Sequence, residues 1–228
     1  MLLLLKALAV LMPLLPRGLR MFIARKILKW DLAPDAHIGR SIILVGKVTM
    51  GPESNIGSFN VIRGLRELRL GQGAMIATRN WIAAHPHSDF VFDGPKRNPS
   101  LIMHDWSRIT VGHQIDCSDR VELHEHSAIA GYRTQILTHS LDLVREKQMT
   151  SPVVLGHHSA ILSGCVILNG MQVPPRSIIS AGSVVVTKLT KEYTLYRGNP
   201  ALAVRELPHT LKFFNRGPEE ARKQTSVG

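Results

Sequence analysis

A six-residue period dominates the sequence and restricts the folds open to it. From Leu155 the chain divides into the hexapeptides LGHHSA, ILSGCV, ILNGMQ, VPPRSI, ISAGSV and VVTKLT, each beginning with Leu, Ile or Val. Neither an α-helix nor an alternating hairpin sheet has this period. The same spacing recurs at Ile38, Leu44, Met50, Ile56, Ile62 and Leu68, then at Leu70, Ile76 and Ile82, and again at Val111, Cys117, Leu123 and Ile129.

A period of six fits a parallel β-helix, in which three short strands make one triangular coil of about eighteen residues. We expect the leading aliphatic residue of each hexapeptide to point inward and to stack on its equivalent in the next coil. The fifth position turns the corner and favours small residues. In the last block it holds Ser159, Cys165, Ser177 and Ser183.

Two segments interrupt the period. Residues 84–108 are polar and rich in proline, and residues 140–153 separate the third block from the last. Insertions in a solenoid project as loops and often carry function. Because each coil is stabilised only by its neighbours, both ends need caps. We therefore predict a capping helix within residues 1–30, a β-helix over 31–205 and a capping C-terminal tail over 206–228.

Charge and cysteine content narrow the functional classes. The chain has two cysteines, which argues against a disulfide scaffold and favours a reducing compartment such as the cytoplasm. Its 28 Lys and Arg residues against 17 Asp and Glu give a net charge of +11. That balance predicts an anionic partner, such as nucleic acid, anionic lipid or a phosphorylated cofactor. Basic stretches interleaved with aromatic residues are missing, so we do not expect nucleic acid.

The N-terminal segment combines an apolar run with a basic amphipathic stretch. Residues 1–15 are almost entirely apolar but fall short of the ~20 residues that span a bilayer. Residues 17–29 contain five basic residues among apolar ones, and a signal-peptide cleavage site is not evident. One interpretation is a helix lying on the anionic inner face of the cytoplasmic membrane. The other is a helix packed against the domain or a neighbouring subunit.

The end of the repeat resembles the hexapeptide-repeat acyltransferases, in particular the sugar O-acetyltransferases of surface-polysaccharide biosynthesis. The segments SAGSVVVTK (180–188) and YRGNPALAVREL (196–207) resemble those that close the β-helix in that family. Thr138-His139, just before an insertion, resembles its catalytic position. The resemblance covers roughly residues 34–206. It implies an all-β fold, a left-handed parallel β-helix, that forms homotrimers with each active site between two subunits.

The activity that the resemblance implies is transfer of an acetyl group from acetyl-CoA to a hydroxyl or amine, without a covalent enzyme intermediate. His139 matches the catalytic histidine, and an imidazole is a suitable general base for a weakly nucleophilic sugar hydroxyl. Lys188 and Arg205 would pair with the phosphates of coenzyme A. The full set of implied cofactor contacts is Ser163, Ala181, Thr187, Lys188 and Arg205.

Acceptor-binding positions are implied less directly. Asp116 matches an acidic residue that binds the acceptor in relatives, and Asp119 is the alternative. His104 and His113 are further candidates, because the first insertion can bring them to the cleft. The expected acceptor is a sugar or a lipid-linked saccharide, with a soluble nucleotide sugar or amino acid left open.

The remaining histidines raise two alternatives. His124 and His126, two residues apart, are predicted to share one strand face, but a metal site there needs a third ligand. A β-helix zinc carbonic anhydrase has two histidine ligands separated by four residues. That spacing is absent from this sequence, so we expect no metal cofactor. A non-catalytic β-helix that acts as a scaffold is the second alternative.

Overall fold

Parallel sheets wrap around one axis to form the faces of a triangular prism. The computed structural model describes residues 2–85, 92–93 and 97–225. Strands one coil apart are direct neighbours, as where Ile136 pairs with Ile167 and Ile167 with Val185. The predicted all-β architecture, a left-handed parallel β-helix, is confirmed.

Each face collects one strand from successive coils. The first face contains Asp31–Leu32, Lys47–Met50, Glu67–Leu70, Ser100–Met103, Val121–Leu123, Val153–Leu155 and Gln172–Val173. The second face contains His37–Ile38, Asn55–Ile56, Met75–Ile76, Arg108–Ile109, Ala128–Ile129, Ala160–Ile161, Ile178–Ile179, Thr194–Arg197 and Leu202–Glu206. The third face contains Ile42–Leu44, Val61–Arg63, Trp81–Ala83, Gln114–Asp116, Gln135–Ile136, Val166–Ile167 and Val184–Val185.

A column of aliphatic side chains fills the prism. The leading residues of the last block, from Leu155 to Val185, are at most 2% exposed, which confirms the predicted inward positions. Two predicted positions are wrong. Val111 is 40% exposed because Ile109 occupies the interior. Leu44 is half-buried, and Ile43 takes its place in the core.

The second insertion is a β-hairpin. His139–Asp142 pairs antiparallel with Lys147–Thr150. Lys147–Thr150 also pairs in parallel with Phe92–Asp93 of the first insertion. Backbone hydrogen bonds therefore connect the two insertions, which leave the β-helix in successive coils.

The first insertion is shorter than the predicted range of 84–108. Ser100–Met103 pairs with Glu67–Leu70, and Arg108–Ile109 pairs with Met75–Ile76, so residues 100–108 belong to a coil. The polar turn between these two strands obscures the six-residue period, so the sequence does not reveal that they belong to a coil. Residues 86–91 and 94–96 of the predicted insertion lie outside the described residues.

The N-terminal segment packs on the first coil. It consists of an α-helix at Leu2–Leu11, a 3-10 turn at Met12–Leu14, an α-helix at Arg17–Phe22 and a π turn at Ile23–Ile27. Met12 and Met21 are buried in the core, and Arg20 Nε donates to the Ile38 carbonyl at 3.0 Å. The opposite side is open, with Leu14 80% exposed. Within the described part of the chain, each helix is too short or too polar to cross a bilayer.

The C-terminal tail contacts the last coil, where His209 stacks on Tyr193 at 3.7 Å, and it also reaches earlier coils. Thr194–Arg197 and Leu202–Glu206 pair antiparallel and close the second face. The tail, with a 3-10 turn at Lys212–Phe214 and an α-helix at Pro218–Thr225, then folds back along the coils. Arg216 donates to the His126 carbonyl, and Arg222 pairs with Glu53 at 2.8 Å. The tail therefore connects coils that are far apart in sequence.

Candidate active site

His139 and Asp116 form a hydrogen-bonded pair at the edge of the third face. Asp116 ends the strand Gln114–Asp116, and His139 follows the strand Gln135–Ile136 one coil later. His139 Nδ1 lies 2.7 Å from Asp116 Oδ2. Since an ionised carboxylate only accepts hydrogen bonds, Nδ1 carries the proton in the neutral imidazole. Nε2 is then the basic nitrogen.

A dense set of donors holds the Asp116 carboxylate. Oδ2 accepts from the Thr138 backbone N–H at 2.8 Å and from the Thr138 hydroxyl at 2.9 Å. Oδ1 accepts from the Ser118 N–H at 2.9 Å and hydroxyl at 2.6 Å. Burial would raise the pKa of Asp116, but the hydrogen bonds from His139, Ser118 and Thr138 outweigh it and lower the pKa to about 2. Asp116 is therefore a fixed anion at neutral pH.

Asp116 also changes the titration of His139. The hydrogen bond from His139 to Asp116 raises the pKa of the imidazole, partial burial opposes this, and the charge of Asp116 adds to the rise. A raised pKa makes His139 a stronger base once it is neutral. The carboxylate also fixes the orientation and tautomer of the ring, as the aspartate of a catalytic triad does.

A pocket of about 320 Å³ lies beside this pair on the outer surface of the third face. Its apolar surface includes Trp81, over which the guanidinium of Arg63 lies at 5.5 Å. Gln114 and Gln135 place amides beside each other in successive coils, 3.4 Å apart. The complete lining is Arg63, Trp81, Ala83, Ala84, His85, Gln114, Ile115, Asp116, Ser118, Gln135, Ile136, Leu137 and His139.

The structure argues against substrate contact by His113. Its side chain is fully buried, its Nε2 lies 3.0 Å from the Thr110 hydroxyl, and its Nδ1 accepts from the Thr134 N–H at 3.2 Å. Burial lowers the pKa of His113 to about 4. His113 thus links neighbouring coils inside the solenoid as a neutral residue.

His104 lies on the first face of the prism, away from His139. Its Nε2 contacts Glu122 Oε1 at 2.9 Å, and it is not among the described residues that line the pocket. Within one chain the structure therefore does not bring His104 to His139. Asp119, the alternative to Asp116, accepts from the Asn98 N–H and does not contact the imidazole in the described contacts.

The predicted cofactor residues lie on the later coils. Ser163 and Ala181 sit at equivalent corners, where the Gly182 N–H donates to the Ser163 carbonyl at 2.9 Å. Thr187 and Lys188 are exposed just beyond the third face, whose last strand pairs through Ile167 with Ile136, three residues before His139. Arg205 is exposed on the terminal strand opposite Leu195. Ala181, Thr187, Lys188 and Arg205 are all open to solvent.

Sequence reasoning missed Trp81, Arg63, Gln114 and Gln135. A signal was present, since each residue directly precedes or follows an inward isoleucine of the third face. Trp81 pairs with Gln114, and Gln114 pairs with Gln135, so these outward positions form one row. Aligning the coils by their buried isoleucines would have identified that row.

Comparison with protein families and with curated proteins gives no match. Solved structures do resemble the chain. A variant of AntD, an N-acyltransferase from Bacillus cereus in complex with dTDP-4-amino-4,6-dideoxyglucose and coenzyme A, has a TM-score of 0.53 at 11% identity, covering 90% of this chain and 96% of that chain. Another AntD variant, in complex with dTDP and coenzyme A, has a TM-score of 0.52 at 15% identity, covering 86% and 92%. A hexapeptide-repeat acetyltransferase from Vibrio cholerae has a TM-score of 0.47 at 19% identity, covering 91% and 93%. At these identities the AntD structures establish similarity of fold alone.

Proposed function

We propose that this chain is an acyltransferase that moves the acetyl group of acetyl-CoA to a sugar hydroxyl or amine. The observation that carries the proposal is the His139–Asp116 hydrogen bond of 2.7 Å beside a surface pocket. An imidazole held by a buried carboxylate is suited to general-base catalysis. That arrangement also makes a purely scaffolding role the weaker alternative.

The proposed reaction is a direct displacement. The acceptor oxygen or nitrogen attacks the thioester carbonyl carbon while His139 Nε2 takes its proton. A new C–O or C–N bond forms, and the tetrahedral intermediate collapses by breaking the C–S bond. The imidazolium then gives its proton to the departing thiolate, which leaves as coenzyme A. Asp116 stabilises the imidazolium and stays ionised.

Acetyl-CoA is the proposed co-substrate, bound along the later coils by Ser163, Ala181, Thr187, Lys188 and Arg205. The positive side chains of Lys188 and Arg205 suit the phosphates of coenzyme A. Support comes from the fold, since the AntD structures of similar fold contain coenzyme A. The cofactor phosphates would also account for part of the net charge of +11 without nucleic acid.

A sugar is the proposed acceptor because of the row of side chains beside His139. Trp81 offers an apolar ring surface, and the amides of Gln114 and Gln135 offer paired donors and acceptors for hydroxyl groups. An aromatic surface with a few polar groups is a common lining for a small-molecule site. The AntD complex with an amino sugar attached to dTDP is compatible with this class. A sugar of polysaccharide or glycolipid biosynthesis is the specific acceptor that we infer, and O-transfer is the favoured outcome.

The assembly and location that we propose are a cytoplasmic homotrimer, held peripherally at the inner membrane face by the N-terminal segment. Leu14 and Phe22 are 80% and 56% exposed, and the basic residues Arg17 and Lys26 of the same segment are also exposed. Apolar and basic residues together favour binding to an anionic lipid surface. A lipid-linked saccharide would then be presented beside the enzyme.

An acceptor screen that follows free thiol released from acetyl-CoA tests this function. Sugars, nucleotide sugars and amino acids form the panel, and we expect release with at least one sugar. Release only with an amino acid would reassign the acceptor. Failure of the protein to bind acetyl-CoA would favour the scaffold alternative, and carbon dioxide hydration dependent on zinc would favour the carbonic anhydrase alternative.

A further inference from the structure

Three outward side chains of the first face converge away from the His139 pocket. The register pairs Ile102 with Glu122 and Met103 with Leu123, which brings His104 beside His124 in the next position. Leu101, Met103, Val121 and Leu123 point inward and are buried. Alternation along the strands therefore directs Glu122 and His124 outward together.

The distances between these three side chains suit coordination of one metal ion. His104 Nε2 lies 2.9 Å from Glu122 Oε1, and His124 Nε2 lies 3.8 Å from the same oxygen. One ligand atom from each of the three residues falls within 4.8 Å of the others. Zinc bonds of about 2.0–2.2 Å in a tetrahedral arrangement separate ligand atoms by roughly 3.3–3.6 Å. Small rotations of these partly exposed side chains would bring them to that geometry.

We propose that His104, Glu122 and His124 bind a divalent transition metal ion, with Zn²⁺ as the best match to two imidazoles and one carboxylate. The three ligands leave a fourth position for water. The ion would join two successive coils of the first face. Within one chain this site is on a different face from His139, and binding of the ion does not depend on the proposed reaction.

Charged neighbours of His104 and Glu122 support the roles of these residues as metal ligands. Glu125 Oε1 lies 3.6 Å from His104 Nδ1. A carboxylate on the second ring nitrogen is the usual support for a metal-binding histidine. Arg120 contacts the other oxygen of Glu122 at 3.3 Å, which leaves Oε1 toward the histidines.

The proposed ligands differ from the pair His124 and His126 that strand alternation predicts. His126 has a φ of 58°, which turns it out of the strand geometry, and its ring stacks on His158 at 4.7 Å. His104, from the preceding coil, supplies the missing ligand for His124. The relevant sequence pattern is thus Glu-x-His plus a histidine one coil earlier.

Zinc titration of the full chain, stripped beforehand with a chelator, tests the site. We expect one Zn²⁺ per chain by calorimetry, an increased thermal midpoint on zinc addition, and d–d absorption typical of tetrahedral coordination when Co²⁺ replaces zinc. His104→Ala and His124→Ala should each weaken binding by at least about 100-fold, and Glu125→Gln by about 10-fold. All three side chains are partly exposed, so circular dichroism should show folded variants.

His157→Gln is the matched control, because His157 and His158 form another histidine pair at the surface, with Nδ1 atoms 3.3 Å apart. The control should bind zinc as the wild type does. Loss of zinc in His157→Gln but not in His104→Ala would overturn the assignment. Zinc binding by the wild type that is no tighter than that of His104→Ala would also overturn it.

Discussion

Asp116 Oδ2 lies 2.7 Å from His139 Nδ1, although 23 residues separate the two positions in the sequence. The β-helix creates this pair, because one coil plus part of the corner brings the end of strand Gln114–Asp116 beside the start of the projecting hairpin. The resemblance suggested Asp116 as an acceptor-binding residue. Its hydrogen bond with His139 Nδ1 also makes it a residue that positions the imidazole.

Asp116→Asn should shift the acid limb of the kcat/KM profile to lower pH. Asp116 raises the pKa of His139, and the base works only when neutral, so the wild-type limb lies above the ordinary histidine value of 6.5. Removing the charge lowers that pKa. It also lets an amide N–H face Nδ1, which favours the wrong tautomer, so kcat should fall by about 10²–10⁴-fold. Initial rates from pH 5.5 to 9 measure both effects.

Asp119→Asn is the control for this change. Asp119 is close in sequence but accepts from backbone N–H groups of Asn98 and Arg120. Its variant should keep the wild-type pH profile. An unchanged acid limb in Asp116→Asn, or an equal shift in both variants, would refute the positioning role of Asp116.

Trp81→Ala should weaken acceptor binding selectively. If the acceptor packs on the exposed indole, removing it raises the KM for the acceptor by about tenfold and leaves the KM for acetyl-CoA unchanged. Phe59→Ala removes another exposed ring, 66% accessible, from the corner between the second and third faces and should change neither constant. Equal acceptor KM values for Trp81→Ala and wild type would exclude Trp81 from the acceptor site.

Charged substitutions on the outer side of the N-terminal segment should abolish membrane binding. Leu14 and Phe22 are exposed, whereas Met12 and Met21 are buried, so Leu14→Glu with Phe22→Glu alters only the outer side. We expect the wild type to float with anionic liposomes and the double variant to remain unbound. Val204→Glu, at the opposite end of the β-helix, is the control. Equal flotation of all three proteins would contradict a membrane role.

Acidification should destabilise the fold through buried histidines. Burial lowers the pKa of His113 and of His126 to about 4. As pH falls below 6.5 the unfolded chain binds protons at both residues while the folded chain does not, so unfolding is favoured. Each residue can contribute a loss of at most about 3 kcal/mol, fully developed only below pH 4. Urea unfolding at pH 7 and pH 4.5 measures the loss.

His126→Asn isolates one of these contributions, because asparagine tolerates the positive φ of this position. Its free energy of unfolding should change by about 2 kcal/mol less than that of wild type between the two pH values. His209→Asn, which removes an exposed histidine, should keep the wild-type dependence. A His126→Asn dependence equal to that of wild type would contradict the assignment.

Much of the fold could be predicted because the interior repeats a short sequence pattern. The leading residues from Leu155 to Val185 are buried in every coil of the last block. Prediction failed where an insertion reset the phase, as at Val111, since a period carries no information about where pairing resumes. The packing of the C-terminal tail along earlier coils was also not predicted, because contacts such as Arg222 with Glu53 join residues 169 positions apart.

The candidate site was only partly predictable for a related reason. Thr138-His139 stands out because the period stops there, but the row of Trp81, Gln114 and Gln135 requires the coil-to-coil register. The partner of His139 likewise depends on which residue of the preceding coil ends its strand. These are tertiary relationships, set by the stacking of coils.

The most direct test compares wild type with His139→Ala for thiol release from acetyl-CoA in the presence of the acceptor panel. Acetyl-CoA binding is measured in parallel by calorimetry. We expect acceptor-dependent release by the wild type, a loss of at least about 100-fold in His139→Ala, and similar acetyl-CoA affinity for both proteins. Turnover by His139→Ala at close to the wild-type rate would exclude His139 as the general base.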